Sequence, residues 1–183
     1  MSDQLVYRVD GQSRLSFVNG AWDAFALANG APELTGEAVI GRAISDFISG
    51  GETKHLYHLL IRRAQREGGP VAFRFRCDAP DLVRSMLMRV EAVAGGEVEF
   101  RSEVVATRPR PTVAVLLADA AHDGSAFLRL CSWCNRGEVD GRWLEIERVV
   151  RALDLFGSWT LPALTHGVCD DCHRQVALDL GVA

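Results

Sequence analysis

Val71-Ala72-Phe73-Arg74-Phe75-Arg76-Cys77 is the stretch that decides the fold. Val71, Phe73, Phe75 and Cys77 fall on one side of an extended chain, and Ala72, Arg74 and Arg76 fall on the other. A period of two is the mark of a sheet with one face packed and one face solvated. On that pattern Cys77 points inward. The same period returns twice downstream. After the Asp78 to Asp81 turn, Val83 to Val93 places Met86, Met88 and Val90 on one face. Val98 to Val105, entered through Gly95-Gly96, sets Val98, Phe100 and Val104 against Glu97, Glu99, Arg101 and Glu103.

Upstream the period changes. Gly68-Gly69-Pro70 stops a helix over Glu52 to Glu67, whose apolar arc is centred on Leu56, Leu60 and Ala64. Before it, Leu5 to Val9 and Arg14 to Asn19 form a hairpin around Asp10-Gly11, with Leu15 and Phe17 alternating inward. Ala21 to Ala28 is a short helix carrying Trp22 and Phe25, closed by Asn29-Gly30, and Gly41 to Ile48 is a further helical turn. Five antiparallel strands, short helices and one longer helix make an α+β domain over residues 1–108.

Several of these residues carry a family resemblance. Asp10-Gly11, Leu15-Ser16-Phe17-Val18-Asn19, Trp22, Phe25, Ile40-Gly41-Arg42 and Asp46-Phe47-Ile48 resemble the opening strand pair, helix entry and turn of a PAS domain. The resemblance implies a sensory or dimerising module whose sheet and helices enclose a small pocket, which in many members holds haem, flavin or a small metabolite. Light-sensing members carry a flavin-reactive cysteine between the short helices, and here no cysteine precedes Cys77. Haem-binding members use a histidine on the longer helix, which makes His55 the haem candidate. His58 lies opposite the apolar arc, beside Arg62 and Gln65. The plain reading of both is that they are solvated.

Residues 109–127, with Pro109 and Pro111 around Arg110, read as a linker, although the apolar run Val113 to Leu117 is expected to dock on the PAS-like sheet. Residues 128–183 then read as a small module: knuckle, hairpin, helix, knuckle, helix. Asp140-Gly141 turns the hairpin. Trp143, Ile146, Val149, Val150, Leu153 and Phe156 form one stripe at helical spacing, stopped by Gly157, and Val176 and Leu180 share a face of the last helix. Each half is expected to have its own core and to fold independently.

The knuckles are Cys131-Ser132-Trp133-Cys134 and Cys169-Asp170-Asp171-Cys172. Two residues between paired cysteines let the backbone aim both sulfurs at one point, and four thiolates complete the tetrahedron that zinc prefers. Cys131, Cys134, Cys169 and Cys172 are therefore the expected zinc ligands. His166 can hydrogen-bond to the cluster from outside it or replace one thiolate. Cys169 and Cys172 open a helix, whose N-terminal dipole favours the thiolate form. Cys169 to His173 also matches c-type haem attachment, a reading that leaves Cys131 and Cys134 without a role. Purely structural zinc and a site whose thiolates oxidise and release metal both remain open. The order of elements is similar to treble-clef zinc domains. The block from Cys131 to Cys172 resembles a cysteine-rich tail that follows sensor domains in bacterial signalling proteins.

Composition bounds the rest. The 183 residues are 48% hydrophobic and 24% charged, ordinary globular values, with a formal net charge of −4. That balance, and acidic residues outnumbering arginines from Leu128 onward, argues against nucleic acid as a partner. Apolar runs are too short to span a bilayer, and Met1 to Asp10 lacks the features of a secretory signal, so a cytoplasmic protein without membrane contact is expected. No nucleophile elbow, phosphate loop or zinc-protease motif occurs. The expected function is a non-enzymatic signalling or adaptor protein: a PAS-like sensor joined to a structural zinc module, acting on a signalling partner. It is expected to form a homodimer through the PAS-like domain, where the strand Leu5 to Val9 or its N-terminal flank offers an exposed edge. The alternatives are a haem or small-ligand gas or redox sensor, and a zinc-dependent transcription regulator.

Overall fold

The computed structural model describes residues 4–117, 120–158 and 160–181; of the stretches read above, residues 1–3 and 118–119 and the side chain of Leu180 lie outside it. Strands β1 (Leu5–Val9), β2 (Leu15–Val18), β3 (Val71–Arg76), β4 (Leu82–Ala92) and β5 (Val98–Pro109) form an antiparallel sheet in the order β2-β1-β5-β4-β3. Helices α1 (Gly20–Ala28), α2 (Gly36–Val39) and α3 (Gly51–Glu67) pack on one face of it. This is the five-stranded α+β architecture that the PAS resemblance implies. The apolar arc of α3 closes the core as expected: Leu56, Leu60, Ile61 and Ala64 are buried against Val9, Phe73, Met88, Val90 and Phe100. Asn19 caps α1 by accepting from the backbone N–H of Trp22 at 3.1 Å.

Two expectations about the first hairpin are corrected. Phe17 faces outward, 40% exposed under the guanidinium of Arg8, while Leu15 is buried. The register shifts between Arg8 and Val9, so that Arg8 pairs with Phe17 but Val9 with Leu15. One extra residue in a strand moves its neighbour to the other face. The second correction concerns the edge. β1 lies between β2 and β5 and offers no edge for a dimer. The outer edges carry partners too: Gly41 donates its backbone N–H to the Leu15 carbonyl at 2.7 Å, and Arg76 donates to the Trp133 carbonyl at 2.7 Å. Val104, also expected inward, is 44% exposed beside the register shift at Ser85 and Met86.

Strands β6 (His122–Cys131), β7 (Gly137–Val139), β8 (Arg142–Leu144) and β9 (Leu161–Gly167) form a second sheet, ordered β8-β7-β6-β9, with β6 and β9 parallel. Helix α4 (Ile146–Ala152) packs beside β7, whereas α5 (Asp170–Leu180) lies against β3 and α3. The stripe from Trp143 to Phe156 is thus no single helix. Trp143 sits in the hairpin opposite Glu138, only Ile146 to Ala152 is helical, and Phe156 is 68% exposed. Ile146, Val149 and Val150 do share a buried face. The presumed linker carries structure: a 3-10 turn at Ala114–Leu116 and the start of β6. Val113 and Val115 bury against Leu128, Leu130, Ile146, Val149 and Leu161, covering the second sheet and not the first.

The cores are therefore not divided as the sequence suggests. Cys131, Trp133, Val168, Cys169 and Val176 belong to the same buried cluster as Tyr7, Leu56, Phe73 and Phe100. Both knuckles pack into the core of the first sheet, so the two halves share one buried cluster where separate cores were expected.

Charges lock the junction. Asp78, its side chain fully buried, accepts from Arg76 and from Arg110 at 3.1 Å, and Arg110 donates to the carbonyls of Ala79 at 2.7 Å and Pro80 at 3.3 Å. Arg76 reaches across to Glu145 at 2.6 Å, and Glu145 also accepts from Arg136 at 3.1 Å. Burial raises the Glu145 pKa, but the bonds from Arg76 and Arg136 outweigh it and hold the carboxyl below the ordinary glutamate value. Since the folded pKa is depressed, the contribution is fully present above the unfolded pKa of about 4.3 and is lost as pH falls through the folded value. Glu145→Gln is expected to lower stability at neutral pH. In denaturant titrations its deficit should begin to shrink as pH falls below about 4.3 and vanish only below the folded value; a deficit constant with pH would remove this ion pair from the junction.

Candidate metal centre and adjoining cleft

β6 delivers Cys131 to the point where its partner strand β9 ends, and the chain reverses through Ser132 to Asn135. Asn135 takes the left-handed φ of 61° that this reversal needs. The turn is held by Cys131 N–H to the Arg136 carbonyl at 2.8 Å and Asn135 N–H to the Cys131 carbonyl at 2.9 Å. Ser132 donates its N–H to Gly167 of β9 at 2.9 Å, fastening the first knuckle to the approach of the second. Cys169 is the N-cap of α5, its sulfur accepting from the N–H of Cys172 at 3.5 Å. The N–H of Cys169 in turn points at the Cys131 sulfur, 3.4 Å away.

All four sulfurs lie within 4.8 Å of one another, and Cys134 and Cys169 are 3.8 Å apart. Thiolates about 2.3 Å from a zinc ion form a tetrahedron with edges of about 3.8 Å. Cys131 and Cys169 are buried, whereas Cys134 and Cys172 are half-buried. The cluster cannot hold four negative charges unaided. Hydrogen bonds from Cys134 and Cys172 push the Cys131 thiol well below its ordinary pKa; by giving them, Cys134 is pushed up to about 12, and Cys172 is raised as well. A bound cation removes that conflict, because each sulfur then shares its charge with the metal.

His166 is not among the four clustered groups. It lies on β9 opposite Leu130, half-buried, its pKa lowered by burial. It lines instead a cleft of about 380 Å³ between α3, β3 and the first knuckle. Phe47, Tyr57, Phe73, Phe75, Met88 and Trp133 supply the apolar walls, with Thr53, Arg76, Ser132 and Asn135 among the polar groups. Cys77 also faces this space, which agrees with its inward reading; burial first of all raises its pKa. Trp133, only 6% exposed, stacks obliquely on Phe73 with centroids 4.8 Å apart and stands edge-on to Tyr57 at 6.4 Å. The Thr53 hydroxyl donates to Ser132 at 2.9 Å. The knuckle thus forms part of the cleft wall.

His55 does not line this cleft. It is exposed and borders a separate groove between α3 and α5. Sequence reasoning missed Trp133 as a core residue, although it stands between two clustered cysteines where a solvated filler would have no reason to be aromatic. Arg76 was assigned to the solvated face and is partly buried at the junction.

No family model matches the chain, and no curated protein matches it. Among solved structures, a domain of an HTR-like protein from Haloarcula marismortui is similar at 17% identity and a TM-score of 0.40, with 57% of this chain and 100% of that one covered. The PAS domain of BvgS from Bordetella pertussis is similar at 15% identity and a TM-score of 0.37, covering 57% of this chain and 74% of that one.

Proposed function

We propose that the protein is a non-enzymatic signalling or adaptor module in which a PAS-like sensory domain is completed by a structural zinc site of the kind that follows bacterial sensor domains. The observation that carries this reading is the insertion of the zinc knuckle into the sensory core: Cys131, Trp133 and Cys169 are buried with Tyr7, Phe73 and Phe100. Four sulfurs saturate a zinc ion and leave no open position for a substrate, which favours a structural over a catalytic metal. Among the described residues no helix is long and apolar enough to cross a membrane. A reducing compartment such as the cytoplasm suits free thiols at this site. The output is contact with a partner protein, in which a second copy of the chain would use a surface other than β1.

A small-ligand sensor is the second reading, favoured by the 380 Å³ cleft that both the sheet and the knuckle line. The charge of Arg76 is already met by Asp78 and Glu145, so the cleft suits a largely apolar ligand over an anion.

Elemental analysis of protein purified under reducing conditions is expected to give one zinc per chain, and cobalt substitution is expected to give sulfur-to-cobalt charge-transfer absorption. Substoichiometric metal that added zinc does not restore would sink the proposal. Native mass spectrometry decides the second reading, since a copurifying small molecule lost on filling the cleft supports it and a bare chain counts against it.

A further inference from the structure

Between helix α4 and the connection that joins the two sheets lies a hollow of about 390 Å³, within the range of about 300 to 1,000 Å³ that small-molecule sites occupy. Pro111, Val113 and Ala114 line it from the connection, Val150 from α4, and Leu155 and Phe156 from the turn that follows the helix. Val113 and Val150 belong to the buried cluster of the second sheet, so packing fixes this part of the lining. Phe156, in contrast, is 68% exposed. Its ring borders an apolar concavity and yet stays in water, the arrangement of a wall that something else covers. None of these residues lines the cleft beside the cysteines.

Two charged side chains share the lining, and only one of them is neutralised. Glu147 is paired with Arg110 at 3.5 Å. Arg151 is exposed and forms no ion pair among the described residues; its Nε donates to the Glu147 carbonyl at 3.3 Å, which leaves its terminal nitrogens without a carboxylate. We propose that the hollow binds a medium-chain carboxylate, with the alkyl chain against Val113, Val150, Leu155 and Phe156 and the head on the Arg151 guanidinium. Charge complementarity selects this occupant. An amine would meet Arg151 as a like charge, and a sugar would bury hydroxyls against valine and leucine with no partner for them. A carboxylate takes two parallel hydrogen bonds from a guanidinium, and its chain needs only the apolar walls.

Isothermal calorimetry of the whole chain with octanoate, decanoate and octan-1-ol tests both ends of the ligand. Octanoate is expected to bind one per chain and at least about tenfold tighter than octan-1-ol, the scale of a charge-assisted hydrogen bond. Decanoate should bind about an order of magnitude tighter than octanoate, since each buried methylene is worth up to about fourfold. Arg151→Gln should bring octanoate down to the level of octan-1-ol and leave octan-1-ol unchanged, whereas Phe156→Ser should weaken all three. Both side chains are exposed, so neither variant should shift the melting temperature of the ligand-free protein. No saturable binding of decanoate up to about 1 mM, the weak limit of a specific site, overturns the proposal, as does equal binding of octanoate and octan-1-ol. Octanoate binding unchanged in both variants would place it elsewhere on the surface, and a dimer in sedimentation that Phe156→Ser dissolves would give the hollow to a second copy of the chain. Either outcome overturns the proposal too.

Discussion

Cys131→Ser is expected to unfold the five-stranded sheet together with the cysteine-bearing segment, in one transition, and to lower the melting temperature by about 8 to 16 °C. The range follows from a loss of about 4 kcal/mol or more, the scale reached when a structural metal is lost, at about 2 to 4 °C per kcal/mol for a chain of this size. Serine leaves three thiolates and removes the sulfur that accepts from the N–H of Cys169. In small metal modules binding free energy is folding free energy. What makes the effect global is the position of the knuckles. Cys131 and Cys169 are buried in the cluster that contains Leu56, Phe73, Val90 and Phe100, so loosening them opens the sheet–helix core as well. The approach is also close in backbone terms: a Cβ on Gly50, at the N-terminus of α3, would stand 2.6 Å from the His166 carbonyl, and Gly50 has a φ of 84°. Calorimetry with near- and far-UV circular dichroism tests this, and a strong chelator should reproduce it. A stable proteolytic fragment ending between Arg108 and Ser125 would show instead that the five-stranded half stands alone.

The first sheet was legible because its strands are long and half-buried. Along β4 the alternation of Met86, Met88 and Val90 is a direct record of burial on one face. The cysteine site was legible for a different reason: four thiols in two pairs have few uses, and zinc geometry fits their spacing. Elements whose stability comes from distant partners were not legible. β9 is a parallel edge strand containing Pro162 and Gly167, with weak propensity of its own, and it exists because β6 supplies its hydrogen bonds. Trp143 obeyed a helical period by coincidence, since short apolar runs fit both periods and the Asp140-Gly141 hairpin claimed it. Phe17 was misassigned through a single register shift. The pairing of Asp78 with Arg110 joins residues that nothing in their local sequence connects, and only the fold brings them together.

Trp133→Ala is the substitution that separates a docked knuckle from a merely attached one, and it is expected to cost about 3 to 5 kcal/mol. The indole lies 6% exposed between Phe73 and Tyr57, in a cluster where Tyr57 also stacks on Phe100 at 5.9 Å. Removing it leaves a hole whose lining loses dispersion contacts on one side, and that hole opens onto the existing cleft. Trp133→Phe keeps an aromatic ring in place and should recover most of the loss. Zinc content should stay at one per chain, because Trp133 contributes no ligand and its backbone turn is held by Cys131, Asn135 and Arg136. Apolar engineered cavities bind small aromatic molecules, so free indole should raise the melting temperature of Trp133→Ala and not that of the unmodified protein. That shift would follow mass action, growing with the logarithm of indole concentration above its dissociation constant. A Trp133→Ala variant within about 0.5 kcal/mol of the parent, the range of an ordinary surface substitution, would mean that the indole is no wedge. The knuckle would then be held to the sheet by the Arg76 and Thr53 contacts and not by packing.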